Sequence, residues 1–297
     1  MLISFKLRKC IINSFYLYLI FLPAFIPAQW STDPSENLQV STWGINPEAC
    51  SDDTGGVYVL WESFSELRRI YLQRVNRYGY VKWDEPVFVG GTEDEERFYH
   101  IVNDGYCNAL FTYIGRTIVD TLDEPPMTYI FSDKVKVNKI DSSGALLWGG
   151  GIRVNVEATN QFFHAKIISD DSGGAIVIWV EEDTVWSGCP HRLKIQRIGE
   201  DGNRLWGASG IMIADSILEY REPMLVSDGL GGAIVSWDNL KLQRISPDGE
   251  FLWDESIVNG GAYYYSHPYV EMVGDGGGGV ITQVSHTLNC STNLILS

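Results

Sequence analysis

Positive charge is scarce in this sequence: 22 lysines and arginines stand against 38 aspartates and glutamates, giving a formal net charge of −16. Proteins that bind nucleic acids or anionic membrane surfaces need basic side chains to displace the counterions of phosphate groups. The charge balance therefore argues against a nucleic-acid partner, and it is typical of a soluble exported protein.

Several catalytic and metal-binding signatures are also missing. The sequence has no Gly-x-Ser-x-Gly or His-Glu-x-x-His motif, so the hydrolase classes that carry these motifs lose their usual marker. Its five cysteines form no Cys-x-x-Cys pair and no cysteine–histidine cluster with zinc spacing. We therefore expect no structural zinc site.

Long apolar runs are confined to the N terminus. Residues 1–28 combine three basic side chains with an apolar stretch at positions 10–28, which predicts a signal peptide cleaved before Gln29. An uncleaved membrane anchor is the alternative, because the stretch approaches the roughly 20 residues that span a bilayer. No later segment is long and apolar enough to cross, so we expect a secreted or cell-surface protein, with the periplasm as a further option.

Glycine and aromatic residues are abundant, with 30 glycines, 10 tryptophans and 15 tyrosines. They recur in a pattern that is clearest in residues 227–253, SDGLGGAIVSWDNLKLQRISPDGEFLW. An Asp-Gly turn and a Gly-Gly pair precede an apolar strand, and a second strand and a second Asp-Gly turn lead into a strand that closes on tryptophan. Five copies occur, near residues 51–83, 103–148, 169–206, 227–253 and 274–297, and such self-similarity indicates a propeller or an array.

The alternation of apolar and polar residues within each copy has a period of two, which favours strands and excludes helical repeats. Further apolar runs before the first turn and after the closing tryptophan bring each copy to about four strands, the content of a propeller blade. A sheet that is apolar on both faces is stable only between neighbours. We therefore predict an all-β propeller of about five four-stranded blades over residues 29–297.

Two details of this propeller can be predicted. The Gly-Gly pair after each aspartate is expected to allow positive φ and close backbone approach. A strand-like segment at residues 37–43 is expected to complete the fifth sheet and so close the ring. The alternative to closure is that the chain is a truncated part of a larger propeller.

The pattern D-G-x-G-G-A-I-V-x-W, followed by L-Q-R-I and D-G-x-x-L-W, resembles the repeats of secreted bacterial β-propeller proteins. Many of those proteins carry a C-terminal type IX sorting domain, which is not visible in this sequence. The likeness covers residues 51–284 and is clearest in the third and fourth copies. It implies a propeller of largely unassigned function, and it supplies no catalytic residues.

Four cysteines remain after residue 28, namely Cys50, Cys107, Cys189 and Cys290, and four cysteines allow three pairings. Cys50 and Cys107 fall near the same turn of successive copies. A disulfide between them, across neighbouring blades, is therefore one expectation, and free buried thiols are the other.

The turns of a four-stranded blade alternate between two faces of a propeller. One face, the turn face, holds the short Asp-Gly turns; the other, the loop face, holds the variable loops, where binding usually occurs. Two of these loops offer carboxylates, imidazoles or stacking surfaces that suit a carbohydrate or peptide; the alternative is a solvated acidic loop with ordinary rim aromatics. The candidate ligand-binding residues are Glu181, Glu182, Asp183, Trp186 and His191 in one loop and Tyr263, Tyr264, Tyr265 and His267 in the other.

No cofactor is expected. Residues 169–174 resemble a calcium loop but lack the spaced ligands and closing glutamate of an EF-hand. Recurrence at equivalent positions favours structural turns, so Ca²⁺ is the one cation that stays under consideration.

The favoured function is a non-catalytic exported scaffold that binds a glycan or a surface protein. The alternatives are a propeller glycosidase or polysaccharide lyase, and a fragment of a longer propeller with no independent function. An enzyme should gather two or three carboxylates around the centre of the loop face, whereas a binding module should show mainly aromatic side chains there.

Overall fold

The computed structural model describes residues 38–63, 68–90, 93–122, 128–156, 161–182, 191–217, 222–238, 241–254, 257–258, 269–285 and 292–296. By its internal contacts the chain divides into two compact units, residues 1–38 and residues 39–297. The fold below is that of the second unit. The expected signal peptide, residues 1–28, lies outside the described residues.

The described residues form β-strands and no helix, as the period-two alternation predicts, and none of them belongs to a helix that could span a membrane. Sheet 1 contains β1 (Gly44–Ser51), β2 (Val57–Ser63), β3 (Ile70–Val75) and β4 (Val87–Phe88), and sheet 2 contains β5 (Glu95–Asn103), β6 (Ala109–Leu122), β7 (Thr128–Ile140) and β8 (Ile152–Arg153). Sheet 3 contains β9 (Gln161–Ser169), β10 (Ala175–Glu182), β11 (His191–Ile198) and β12 (Ile211–Ile217). Sheet 4 contains β13 (Met224–Ser227), β14 (Ala233–Trp237), β15 (Lys241–Ile245) and β16 (Ile257–Val258), and sheet 5 contains β17 (Tyr269–Gly274), β18 (Val280–Ser285) and β19 (Thr292–Leu296).

Each sheet is an antiparallel meander in chain order, with four strands in sheets 1 to 4 and three described strands in sheet 5. The first strands of successive sheets contact one another: β1 contacts β5, β5 contacts β9, β9 contacts β13, and β13 contacts β17. The inner strands of propeller blades meet in the same way. The fold is therefore all-β and propeller-like, and the strand content expected of each copy is confirmed in sheets 1 to 4.

The hydrophobic core lies in layers between successive sheets. In β10 successive side chains alternate between two layers: Val177 packs toward sheet 2, whereas Ile176 and Ile178 pack toward sheet 4. All three side chains are fully buried, and burial of each stabilises the fold by roughly 1.5–3 kcal/mol. A strand with a neighbour on both faces is apolar at successive positions, which explains the uninterrupted run at residues 175–180.

The aspartate of each repeat closes the turn between the first two strands. Oδ1 of Asp170 accepts hydrogen bonds from the backbone N–H groups of Ser172 (2.9 Å) and Gly174 (2.7 Å). Its Oδ2 lies 2.9 Å from the guanidinium of Arg197, which also donates to the carbonyl of Pro247 in sheet 4. The aspartate thus joins a turn, a strand and the next sheet, which accounts for its recurrence. The same pair recurs as Asp52–Arg74, Asp104–Lys139 and Asp228–Arg244.

The Gly-Gly pair behaves as the sequence predicts. Gly173 has a φ of 81°, in the left-handed region that favours glycine. A Cβ on Gly174 would lie 2.2 Å from the carbonyl oxygen of Ile198, so the backbone approach tolerates no side chain there. The equivalent glycines are Gly55 and Gly231 for the first position and Gly56 and Gly232 for the second.

The prediction that the segment ending at the closing tryptophan forms a strand is wrong. That segment forms a single β-bridge, Ile198 with Arg204 in sheet 3, and the fourth strand begins later, at Ile211. The reason is that a side chain takes the place of a backbone strand partner: the N–H of Trp206 donates to Oε1 of Gln196 at 2.9 Å. The indole N–H of the same tryptophan donates to the carbonyl of Pro247 in the next sheet at 3.1 Å.

The strand expected at residues 37–43 is also absent from residues 38–43, the described part of that segment. The backbone bends there, because the N–H of Trp43 donates to the hydroxyl of Ser41 at 3.3 Å. The Trp43 ring packs edge-on against Tyr71 of sheet 1, with ring centres 4.8 Å apart. The chain enters sheet 1 directly after this residue, with β1 as its first strand.

Candidate functional site

A cavity of about 270 Å³ lies where the first strands of sheets 1 to 3 begin, on the loop face. Four successive sheets contribute to it, since its lining includes residues of β1, β2, β5 and β9 and the residue that leads toward β13. It holds three carboxylates and one tyrosine among its described residues. The lining residues are Asn46, Glu48, Glu62, Arg68, Arg97, Tyr99, His164, Ala165, Lys166 and Glu222.

Equivalent positions of the repeats converge on this cavity. Asn46, His164 and Glu222 each stand five residues before the end of the first strand of their sheet, and Glu48 and Lys166 stand three residues before it. Side chains two apart in a strand share a face. The first strands of successive sheets therefore place polar side chains around one cavity.

The backbone is irregular at this cavity. Asn46 and His164 both have a φ of 51°, which is uncommon for residues other than glycine. The pairing of β1 with β2 shifts register between Ile45 and Glu48, and that of β5 with β6 shifts between Arg97 and His100. Such bulges re-aim side chains and are frequent next to active sites.

Glu222 is held as an anion by two basic groups from sheet 3. His164 Nδ1 lies 3.1 Å from one carboxylate oxygen, and Lys166 Nζ lies 3.4 Å from the other. The hydrogen bond from His164 is the main cause that lowers the pKa of Glu222 to about 2, and the charge of Lys166 acts in the same direction. Glu222 is therefore ionised throughout the physiological pH range.

Glu48 has the opposite environment. Burial raises the pKa of its carboxyl group, and the negative charge of Glu222 raises it further. Lys166 and a hydrogen bond from the backbone N–H of Ile101, at 3.2 Å, oppose this shift in part. The cavity thus contains one carboxyl group whose pKa is raised, Glu48, and one whose pKa is lowered, Glu222.

The third carboxylate belongs to a network that fixes the bulge of β1. Glu62 accepts a hydrogen bond from the side-chain amide of Asn46 at 2.7 Å, and the guanidinium of Arg68 lies 3.9 Å away. The hydroxyl of Tyr99 donates to the carbonyl oxygens of Ile45 and Asn46. These bonds hold Asn46 in its unusual conformation and leave Glu62 a supporting role.

A half-buried imidazole, that of His100, lies on β5. Burial lowers the pKa of His100 to about 4, and the charge of Lys166 lowers it further. The N–H of Ile167 donates to its Nδ1 at 3.4 Å. His100 is therefore neutral at physiological pH and joins β5 to β9 beneath the cavity.

Two buried carboxylates lie three residues apart: Glu93 just before β5 and Glu96 within it. Glu96 Oε1 lies 3.1 Å from the guanidinium of Arg69, and Glu93 Oε1 lies 2.7 Å from Nζ of Lys136. Burial raises the pKa of Glu96 to about 7, and the negative charge of Glu93 adds to the shift. Burial raises the pKa of the Tyr113 hydroxyl, and the negative charges of Glu93 and Glu96 add to that shift.

The residues singled out from the sequence lie elsewhere or outside the described residues. Glu181 is fully buried, with one carboxylate oxygen 2.8 Å from Nζ of Lys194. Glu182 and His191 face each other across β10 and β11, 4.0 Å apart, and these three residues are not part of the cavity lining. Asp183, Trp186, Tyr263, Tyr264, Tyr265 and His267 lie outside the described residues.

Neither a disulfide nor a metal centre is formed by the described residues. Cys50 and Cys107 are free thiols, so the expected bridge between them is not formed in the structure. The described residues contain no group of three or more histidines, cysteines or carboxylates arranged to hold a metal ion.

The apolar pattern of the repeats does not point to the cavity residues, because these residues are mostly polar. The available signal was the recurrence of polar residues at fixed offsets within the first strands, such as Asn46, His164 and Glu222. The loop face was predicted as the location of binding, and the cavity lies on that face.

No family model matches the chain, and no curated protein sequence matches it. Three solved structures are similar in fold: sucrose-6-phosphate hydrolase from Lactobacillus gasseri, endo-arabinase from Bacteroides thetaiotaomicron and a GH43_1 enzyme from Xanthomonas citri. Their identities to this chain are 10%, 11% and 9%, and their TM-scores are 0.42, 0.38 and 0.39. The matches cover 83%, 88% and 88% of this chain and 54%, 97% and 90% of the three neighbours, so the chain spans about half the length of the first. At these scores the chemistry of the cavity has to be argued from its own residues.

Proposed function

We propose that the cavity is the active site of a glycoside hydrolase in which Glu48 is the general acid and Glu222 the ionised partner. Most glycoside hydrolases use two carboxyl groups, one protonated to assist the leaving oxygen and one ionised to act at the anomeric carbon. The observation that carries the proposal is that one cavity raises the pKa of Glu48 and lowers that of Glu222 to about 2. Environments that push two pKa values apart assign the acid and base roles.

The side chains around this pair favour the enzyme over the aromatic binding module. The described lining contains three carboxylates but only one tyrosine, Tyr99, and no tryptophan or phenylalanine, which is the composition expected of a catalytic centre on the loop face. The volume of about 270 Å³ lies just below the ~300–1,000 Å³ usual for small-molecule sites. It suits one sugar unit rather than an extended glycan.

The proposed reaction needs water and no cofactor. Glu48 donates its proton to the glycosidic oxygen while the bond from that oxygen to the anomeric carbon breaks. Glu222 stabilises the positive charge that develops on the sugar ring, and His164 and Lys166 keep Glu222 ionised. Water then supplies the hydroxyl group of the product, and its other proton restores Glu48.

The proposal is tested by measuring the release of reducing sugar from a panel of polysaccharides and aryl glycosides. We expect Glu48→Gln and Glu222→Gln each to lower kcat by about 10²–10⁴-fold, the range typical of general acid–base groups. Glu250→Gln is the matched control, because Glu250 is an exposed glutamate on a turn of sheet 4. Full activity in both cavity variants would contradict the proposal.

Ligand binding without catalysis is the second candidate. It is favoured by the pairing of Glu222 with two basic groups and of Glu62 with Asn46, which suits a rigid recognition site. Binding of a sugar with no turnover across the same panel would select it.

We also propose that the five sheets close into a ring and that the chain is exported. The outward face of sheet 1 carries Val59 and Tyr71, and the outward face of sheet 5 carries Val273, which is 57% exposed. The inward faces of these sheets are covered by their neighbours, so apposition of the two outer faces would bury the remaining apolar surface. Export by the expected signal peptide suits an enzyme or binding protein that meets glycans outside the cell.

A further inference from the structure

The cavity is richer in basic side chains than the chain as a whole. Arg68, Arg97 and Lys166 line it together with His164, although acidic residues outnumber basic ones by 38 to 22 over the sequence. Of its carboxylates, Glu48 is shifted toward its neutral form. The centre of the loop face thus balances three basic side chains against three carboxylates, whereas acidic residues outnumber basic ones over the whole sequence.

Arg68 differs from the arginines around it in how little its guanidinium is engaged. It lies 3.9 Å from Oε1 of Glu62, which already accepts a 2.7 Å hydrogen bond from Asn46, and half of the Arg68 side chain is exposed. Arg69, the next residue, is bound to Glu96 and to the backbone carbonyl of Glu93. Arg68 thus lines the cavity with a half-exposed guanidinium whose ion pair with Glu62 is long.

Arg97 is less available than Arg68. Its Nε lies 2.8 Å from Oε2 of Glu95, and a second nitrogen of the guanidinium contacts the same oxygen. Lys166, in contrast, is 3.4 Å from Glu222, and its charge also lowers the pKa of Glu48. Lys166 and Arg68 both line the cavity, so a ligand bound there can contact either of them.

We propose that the sugar unit bound in this cavity is a hexuronic acid, with Arg68 as the specificity-determining residue for its carboxylate. A planar guanidinium matches a carboxylate with two parallel hydrogen bonds, which a neutral hydroxymethyl group cannot replace. The inference rests on the proposed function for its catalytic use, but the recognition of the acid is a separate property. The acid could arrive as a free monosaccharide or as the end of a longer uronide.

Binding of an anion leaves a measurable proton signature. A ligand carboxylate placed near Glu48 adds negative charge beside a carboxyl group whose pKa is already raised by burial. Like charge disfavours ionisation, so we expect a fractional proton to be taken up on binding. Neutral sugars should produce no such uptake.

The test is isothermal titration calorimetry of the full chain with glucuronic acid, galacturonic acid, glucose and galactose, each in two buffers of different ionisation heat. Oligouronides form a further arm, which distinguishes a free acid from the end of a chain. We expect the acids to bind at least about tenfold more tightly than the neutral sugars, because hydrogen bonds to a charged partner are the stronger ones. We also expect Arg68→Gln to abolish that difference.

Arg77→Gln is the matched control, since Arg77 stacks on Tyr78 in the tight turn after β3, on the turn face, and should keep the preference. Equal binding of acids and neutral sugars, or a preference that survives in Arg68→Gln, would overturn the inference. Preferential binding of acids without hydrolysis would retain it and refute the hydrolase. Hydrolysis of neutral glycans alone would retain the hydrolase and refute the inference.

Discussion

The imidazole of His164 donates a hydrogen bond from Nδ1 to Oε1 of Glu222 across 3.1 Å. The two residues occupy the same position in successive repeats, five residues before the ends of β9 and β13. One repeat thus supplies a proton donor and the next supplies the carboxylate that it stabilises. This contact links two blades at the point where we place the chemistry.

Removal of this imidazole should raise the pKa of Glu222. We choose His164→Asn, because asparagine tolerates the positive φ of this position. The pKa should rise from about 2 toward the ordinary value of 4.5, and Lys166 should limit the rise. A carboxyl-carbon NMR titration measures the shift, and an unchanged pKa would show that His164 does not hold this carboxylate.

The aspartate of the repeated turn should matter greatly for stability. In Asp170→Ala the backbone N–H groups of Ser172 and Gly174 and the guanidinium of Arg197 lose a shared buried partner. We expect the free energy of unfolding in urea to fall by roughly 3 kcal/mol or more. Asp201→Ala is the comparison, because Asp201 lies in the second turn of the same sheet and is exposed. Similar losses in the two variants would contradict this role.

The second glycine of each Gly-Gly pair should tolerate no side chain. In Gly174→Ala the new Cβ would meet the carbonyl oxygen of Ile198 at 2.2 Å, and the backbone would have to shift at a cost of about 1–3 kcal/mol. Gly150→Ala is the control, because nothing lies within 4 Å of a Cβ built there. Thermal unfolding of both variants measures the difference, and equal melting temperatures would refute the close approach.

Glu96 should make stability depend on pH. Its pKa is about 7 in the folded protein and near 4.5 when unfolded, so the folded state binds more protons between these values. Its contribution is therefore complete below pH 4.5 and is lost as the pH rises through 7, by about 3 kcal/mol in total. Urea unfolding from pH 4 to 8 measures it. Glu96→Gln should remove this part of the slope, and an unchanged slope would contradict the assignment.

Much of the fold follows from local patterns. The alternation in residues 241–245 and the Asp-Gly turns predicted β15 and its counterparts, because a strand or a turn is set largely by its own residues. The closing strand was wrong because the side chain of Gln196 bonds the backbone of Trp206, and a side chain that substitutes for a strand partner leaves no periodic trace. The strand predicted at residues 37–43 was wrong for a similar reason, because the hydroxyl of Ser41 bonds the backbone of Trp43 and bends the chain.

The site was less predictable than the fold. The loop face could be inferred from the length and variability of its loops, but the convergence of Glu48, His164 and Glu222 depends on contacts between sheets far apart in sequence. The bulge at Asn46 also has no sequence signature, because hydrogen bonds from Tyr99 and to Glu62 fix it. The available signal was the polar residue five positions before the end of each first strand. Its significance depends on how the sheets pack against one another, which the sequence does not show.

The central claim is tested most directly by comparing aryl glycosides whose leaving groups need much or little protonation. If Glu48 is the general acid, Glu48→Gln should lose activity on poor leaving groups and retain most of it on good ones, because only the former need a donated proton. Glu222→Gln should lose activity on both. Equal losses on both kinds of leaving group in Glu48→Gln, or no loss in either variant, would contradict the account.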